Sequence, residues 1–157
     1  MELRGARPGD LDRLVPLFQE MAAHYGEPAL DAATTRARLE RSLFGSPPFA
    51  RLLVAIEAER ALAFLTCNTS FPSPGLGRRL VIEDLYVATA ARNRGLGVSL
   101  LRRAAALAEE LGATELGWTT DPKNEGAQRF YDRIGARRIG KVVYRMDAAL
   151  LRADVAT

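Results

Sequence analysis

With 157 residues, 48% of them hydrophobic and 26% charged, the chain has the size and composition of one globular domain that can bury a core without disulfides. A net charge of +3 and a pI near 9.4 come from arginines scattered among 19 acidic residues. That dispersal argues against a nucleic-acid partner, which would need basic residues gathered on one face or helix. Cys67 is the one cysteine, so no internal disulfide can form. No apolar run reaches membrane-spanning length, and the acidic Glu2 and Asp10 do not suit a signal peptide, so the expected location is the cytoplasm with no membrane contact.

In chain order, Glu2 to Arg7 reads as a short strand. PGD then opens a helical pattern in which Leu11, Leu14, Val15, Phe18, Met21 and Ala22 recur to about Tyr25, with Pro16 able to kink its first turns. Gly26 and Pro28 end it, and a second helix is expected over Asp31–Leu43. RLLVAIEAERALAFLTCNTS predicts a hairpin that turns at Glu57–Arg60, FPSPGLGRR a loop, and RLVIEDLYV a buried strand interrupted by Glu83 and Asp84. A helix with a stripe of Leu101, Ala104, Ala108 and Leu111 follows, capped by Gly112. ATELGWTT predicts a further strand. Asn124 should cap a helix carrying Ala127, Phe130, Tyr131 and Ile134, and ARRIGKVVYRMD one or two closing strands. The order β-α-α-β-β-β-α-β-α-β, without repeats or linkers, makes an α/β fold in a single domain spanning residues 1–157.

RNRGLG, residues 92–97, stands directly before a helix. A Walker loop would need Lys and Ser or Thr after its last glycine, where this chain has Val98 and Ser99. A dinucleotide fingerprint would need a third glycine, where it has Leu100. What remains is R-x-x-G-x-G, formed by Arg92, Gly95 and Gly97. Its backbone amides can face a pyrophosphate with the helix dipole behind them and arginines around them. An ordinary strand-to-helix turn accounts for the hexapeptide equally well.

EDLYV, four residues, RNRGLG and a helix, then WTTD, then N-x-x-A-x-x-F-Y-x-x-x-G-A together resemble the GCN5-related N-acetyltransferase (GNAT) superfamily, densely between Val81 and Ala136. IEDLYV with NEGAQRFYDRIGA is most similar to its diamine (spermidine/spermine) acetyltransferase branch and to relatives that acetylate amino acids or small amines. The resemblance implies a central mixed, mostly antiparallel twisted sheet flanked by helices, with a splayed strand pair holding acetyl-CoA as the acetyl donor. It implies that Arg92, Asn93, Arg94, Gly95, Leu96, Gly97 and Val98 bind the pyrophosphate. It also implies that Leu85, Tyr86 and Val87, on a bulged strand, offer backbone groups to the pantetheine arm, and that the helix opened by Asn124 flanks the thioester. A homodimer is implied as well, and the apolar Lys141–Met146 run would need cover.

Amine acetylation needs a base, because an alkylammonium of pKa ~10.4 has no lone pair, and a proton donor for the departing thiolate. Glu83 is the candidate base. Its place in a strand otherwise suited to burial is costly unless the carboxylate has a job or a partner, the alternatives being a solvent-facing residue or an arginine pair. On a regular strand Asp84 would point to the opposite face unless a bulge turned it. Tyr131 is the candidate acid, the alternative being a core tyrosine. Arg133 is either a ligand of a cofactor phosphate or an exposed helix arginine. His24 and Tyr25 are candidate acceptor-pocket residues. Cys67 reads as a small buried strand residue and not as an acetyl carrier, and no metal is called for.

A small-molecule amine, either a polyamine or an amino acid, is the expected acceptor, by direct transfer. A protein lysine or N-terminus would instead require an open groove across the sheet. A non-catalytic acyl-CoA-binding module would be favoured if Glu83 or Tyr131 were absent, and both are present.

Overall fold

Alternation and stripes become elements close to where the sequence puts them. The computed structural model describes residues 1–72 and 74–149. Strand β1 is Glu2–Gly5, helix α1 Leu11–His24, α2 Ala32–Phe44, β2 Arg51–Glu57, β3 Arg60–Ser70, β4 Arg79–Val87, α3 Leu96–Glu110, β5 Glu115–Gly117 and α4 Glu125–Arg133. Pro16 lies inside α1 without ending it. Asp31 caps α2 by accepting from the Thr34 amide at 2.9 Å. The β2–β3 turn places Ala58 and Glu59 at φ 46° and 64°, the left-handed pair that fits the twist of a two-residue hairpin. The Pro- and Gly-rich connection between β3 and β4 is a loop as expected, and Ser73 within it falls outside the described residues.

The described chain forms two compact units, Met1–Thr119 and Thr120–Thr157. In the first, the sheet order is β1-β2-β3-β4-β5, antiparallel except for the parallel β4–β5 pair. Both faces of β3 are covered, since Ala63, Phe64 and Leu65 are all fully buried. Phe18 of α1 stacks on Phe64 with ring centroids 4.2 Å apart. The opposite face of the sheet packs against α3, whose Leu96, Leu100, Leu101, Ala104 and Ala108 are buried. A buried carboxylate ties the first strand to the first helix: Asp10, 2% exposed, accepts from Arg4 Nη1 and Nη2 at 2.6 and 3.0 Å and from the Arg7 amide at 2.7 Å.

β5 pairs with β4 only through Arg79–Glu115, Leu80–Leu116 and Val81–Gly117, so the two strands part beyond Val81. This is the expected splay. The expected closing strand is not formed, because residues 136–147 enter no ladder with any described strand. Their β-branched, alternating composition encodes an ability to pair, but a strand exists only with a partner edge. Val142, Val143 and Tyr144 are 75%, 63% and 88% exposed. In the second unit Asn124 caps α4, accepting from the Ala127 amide at 3.0 Å, and Arg138 pairs with Asp132. No described helix is long and apolar enough to cross a membrane.

Candidate active site

The strand that carries Glu83 contains a register shift. Asn68 pairs with Val81 and Cys67 with Ile82, but Thr66 pairs with Asp84. Glu83 is therefore the additional residue of a β-bulge, turned out of the ladder. It is exposed, and its carboxylate makes no hydrogen bond or ion pair with the described residues. The expected burial cost does not arise, because Glu83 takes the solvent-facing alternative. The bulge puts the carboxylate in solvent, so it bears no burial penalty, and no arginine among the described residues pairs with it. Asp84 is not an opposite-face residue of a regular strand either, because the bulge gives it to Thr66. Thr66 Oγ1 donates to Asp84 Oδ2 at 2.9 Å and accepts from the Asp84 amide at 3.1 Å.

Beyond the bulge, Tyr86 pairs with Phe64 and the Ala88 amide donates to Leu62, so their backbone groups face β3. Strand alternation turns the backbone of Leu85 and Val87 to the other edge, the one β5 has left. The chain then makes a short 3₁₀ turn, Thr89–Ala91, and enters the glycine loop. Asn93 at φ 62° and Gly95 at φ 76° are both left-handed, a conformation that lets successive amides converge on one anion. α3 starts at Leu96, and its first turn bond runs from the Ser99 amide to the Gly95 carbonyl at 3.1 Å. The amides of Leu96, Gly97 and Val98 thus have no partner within the helix, and the dipole adds positive potential there. These residues suit a pyrophosphate. The flanking arginines are directed elsewhere: Arg94 Nη2 lies 2.9 Å from both carboxylate oxygens of Glu57, and Arg92 Nε donates to the Val87 carbonyl at 3.4 Å.

Glu20 of α1 had no distinguishing mark in the sequence, yet it joins three elements. Its Oε1 accepts from the Tyr86 hydroxyl at 3.1 Å and from the Thr89 amide at 2.8 Å. The Thr89 amide is the main reason its carboxyl lies below the usual range. Burial first, and then the bond to Glu20, push the Tyr86 hydroxyl up. The His24 ring lies 5.9 Å from Tyr86 and 5.2 Å from Tyr25, which puts both candidate pocket residues at the end of α1 nearest this cluster. Cys67 is wholly buried, and burial pushes its thiol up to about 11, which keeps it protonated and unreactive.

The second unit holds Asn124, Tyr131 and Arg133. Tyr131 is partly buried on α4, with its ring centroid 5.2 Å from that of Phe130, and the Arg133 guanidinium lies 5.9 Å over the Phe130 ring. Asn124 spends its side-chain oxygen on the helix cap.

Comparison with known proteins agrees with this architecture. Residues 14–136 match the acetyltransferase (GNAT) family. The chain is 29% identical over 135 residues to the uncharacterized N-acetyltransferase YhfO of Bacillus subtilis, covering 86% of this chain and 89% of that one. It is 26% identical over 142 residues to the thialysine N-epsilon-acetyltransferase of Bos taurus, covering 86% and 83%. Among solved structures, an integron cassette protein from the mobile metagenome of V. cholerae superposes with a TM-score of 0.88 at 27% identity, covering 99% of this chain and 98% of that one. With a match over most of its length, a splayed sheet and a glycine loop opening α3, the chain belongs to the acetyltransferase (GNAT) family and is an N-acetyltransferase.

Proposed function

We propose that the protein transfers the acetyl group of acetyl-CoA directly to the primary amine of a small molecule, a polyamine, an amino acid or a similar compound. The observation that carries this reading is the continuity of three features along one stretch of chain. An unpartnered carboxylate stands on the β4 bulge, the Leu85 and Val87 backbone lies on an open edge, and the left-handed loop ends in free helix amides. The amides of Leu96, Gly97 and Val98 hold the pyrophosphate, and Leu85 and Val87 bond the pantetheine arm. Arg94 is then available to a phosphate only by leaving Glu57.

Acetyl-CoA supplies the thioester. Glu83, with all its acceptor capacity unspent, takes the proton of the incoming ammonium, directly or through a water, so that the nitrogen lone pair is free to attack. Tyr131 gives its hydroxyl proton to the departing sulfur, a role supported by the resemblance of N-x-x-A-x-x-F-Y to the family pattern. On this reading the whole chain, residues 1–157, is a single N-acetyltransferase domain. Support for a small acceptor comes from the bovine relative, whose name specifies thialysine, and from the aromatic and imidazole rings at the end of α1. The exposed apolar run Val142–Tyr144 supports a homodimer, which light scattering at micromolar concentration tests: a monomer excludes it. A cytoplasmic location fits a chain whose single cysteine, Cys67, can form no internal disulfide.

A screen of free amines and of D- and L-amino acids, read by release of coenzyme A thiol, tests the acceptor class. Turnover with at least one small amine is expected. Turnover of lysine-containing peptides with no free amine accepted would move the acceptor to proteins. No turnover with any acceptor, alongside intact coenzyme A binding, would favour a non-catalytic binding module.

A further inference from the structure

We propose that Thr66 is a positioning residue for the catalytic carboxylate, acting by locking the β4 bulge through Asp84. The inference rests on Glu83 being the base. A bulge removes a ladder pairing and would relax if a neighbouring register gave back a regular strand. Here the alternative register would pair Thr66 with Glu83 and turn that carboxylate out of its present place.

The hydroxyl of Thr66 opposes such a slip with two bonds to one residue. It donates to Asp84 Oδ2 at 2.9 Å and accepts from the Asp84 amide at 3.1 Å. A backbone amide and a carboxylate of the same residue are thus held by one hydroxyl, which uses its donor and an acceptor lone pair at once. Only a residue placed directly after the bulge can close this ring with Thr66, so the ring is satisfied in the observed register and lost in the shifted one. Asp84 is spent on holding, and Glu83 beside it is left unpaired and exposed. Two adjacent acidic residues therefore have different tasks, assigned by a threonine on the neighbouring strand.

The test compares Thr66→Val, Thr66→Ser, Glu83→Gln and the double variant Thr66→Val/Glu83→Gln, with one accepted amine. Valine keeps the shape and β-branching of threonine, so the strand survives while both bonds disappear. Thr66→Val should lower kcat by about 10- to 100-fold, the cost of a misplaced catalytic group, with KM for acetyl-CoA almost unchanged. Thr66→Ser should restore most of it. The loss in Thr66→Val should shrink at high pH, as in Glu83→Gln, and the double variant should be no worse than Glu83→Gln alone, because both changes disable one function. Amide hydrogen exchange at Asp84 should quicken in Thr66→Val whatever Glu83 does.

If Glu83→Gln is impaired but Thr66→Val multiplies that defect, or lowers only thermal stability, the positioning role is overturned and the base assignment stands. If Glu83→Gln is fully active, the base assignment itself fails and takes the positioning role with it. Unchanged exchange at Asp84 would overturn the lock directly.

Discussion

Asp10 and Glu83 are both carboxylates of the first unit, and the chain treats them in opposite ways. Asp10 is buried and saturated, bonded by both terminal nitrogens of Arg4, by the Arg7 amide and by Arg13. Glu83 stands in solvent on a bulge and makes no hydrogen bond or ion pair among the described residues. A carboxylate that fixes a fold has its lone pairs occupied and cannot take up a proton without breaking the structure around it. One that performs acid–base chemistry must keep them free, and must be aimed by neighbours rather than by its own bonds. In the role proposed for Glu83, the Thr66–Asp84 ring would supply that aim from one residue away.

The largest expected effect lies on the structural side. Asp10→Ala leaves the Arg4 guanidinium with only the exposed Glu2 as a charged partner among the described residues and should destabilise the protein by about 3 kcal/mol, measured by denaturant unfolding at neutral pH. The hydrogen bond from Arg4, and then that from the Arg7 amide, hold the Asp10 carboxyl down at about 2, against an ordinary 3.8. Because the folded-state value is the lower one, its contribution is complete above about 4 and is lost as pH falls toward 2. The stability gap between wild type and Asp10→Ala should therefore close over that interval. A gap that stayed constant in acid would mean that Asp10 is no more specialised than Glu83.

Tyr131→Phe comes next, with kcat reduced about 100-fold and coenzyme A affinity nearly intact, since only the hydroxyl is removed. Steady-state kinetics with one accepted amine decide it, and full activity would remove the acid role. The glycine loop follows. Gly95 lies at φ 76°, so any side chain strains it, by about 1 kcal/mol for alanine. Gly95→Glu adds a negative charge where the pyrophosphate is expected, and calorimetry should show coenzyme A affinity falling by more than tenfold beyond that of Gly95→Ala. Equal affinities in the two variants would place the pyrophosphate elsewhere.

These two carboxylates also show what a sequence can and cannot carry. The helical stripes of α1 and α3, the caps at Asp31 and Asn124 and the run of β4 were legible, because each follows from local spacing and local hydrogen bonding. The splay of β4 from β5 was legible only through family resemblance. The bulge too was legible only through that resemblance, since a register shift belongs to a pair of strands, and Thr66 looks like any half-buried strand threonine until its partner is known. Glu20 was invisible for the same reason: the Tyr86 and Thr89 groups it binds lie far along the chain. Residues 136–147 show the converse. Their β-forming composition was plain, but composition names no partner, and no described strand pairs with them.

The central claim, that an unbonded Glu83 accepts the proton of the attacking amine, is tested most directly by the pH dependence of kcat/KM in wild type and Glu83→Gln with one accepted amine. Free amine becomes abundant without help as pH approaches ~10, the amine's own pKa. The defect of Glu83→Gln should therefore be greatest near neutrality and shrink steadily with rising pH. Parallel profiles, with the same loss at every pH, would contradict the account.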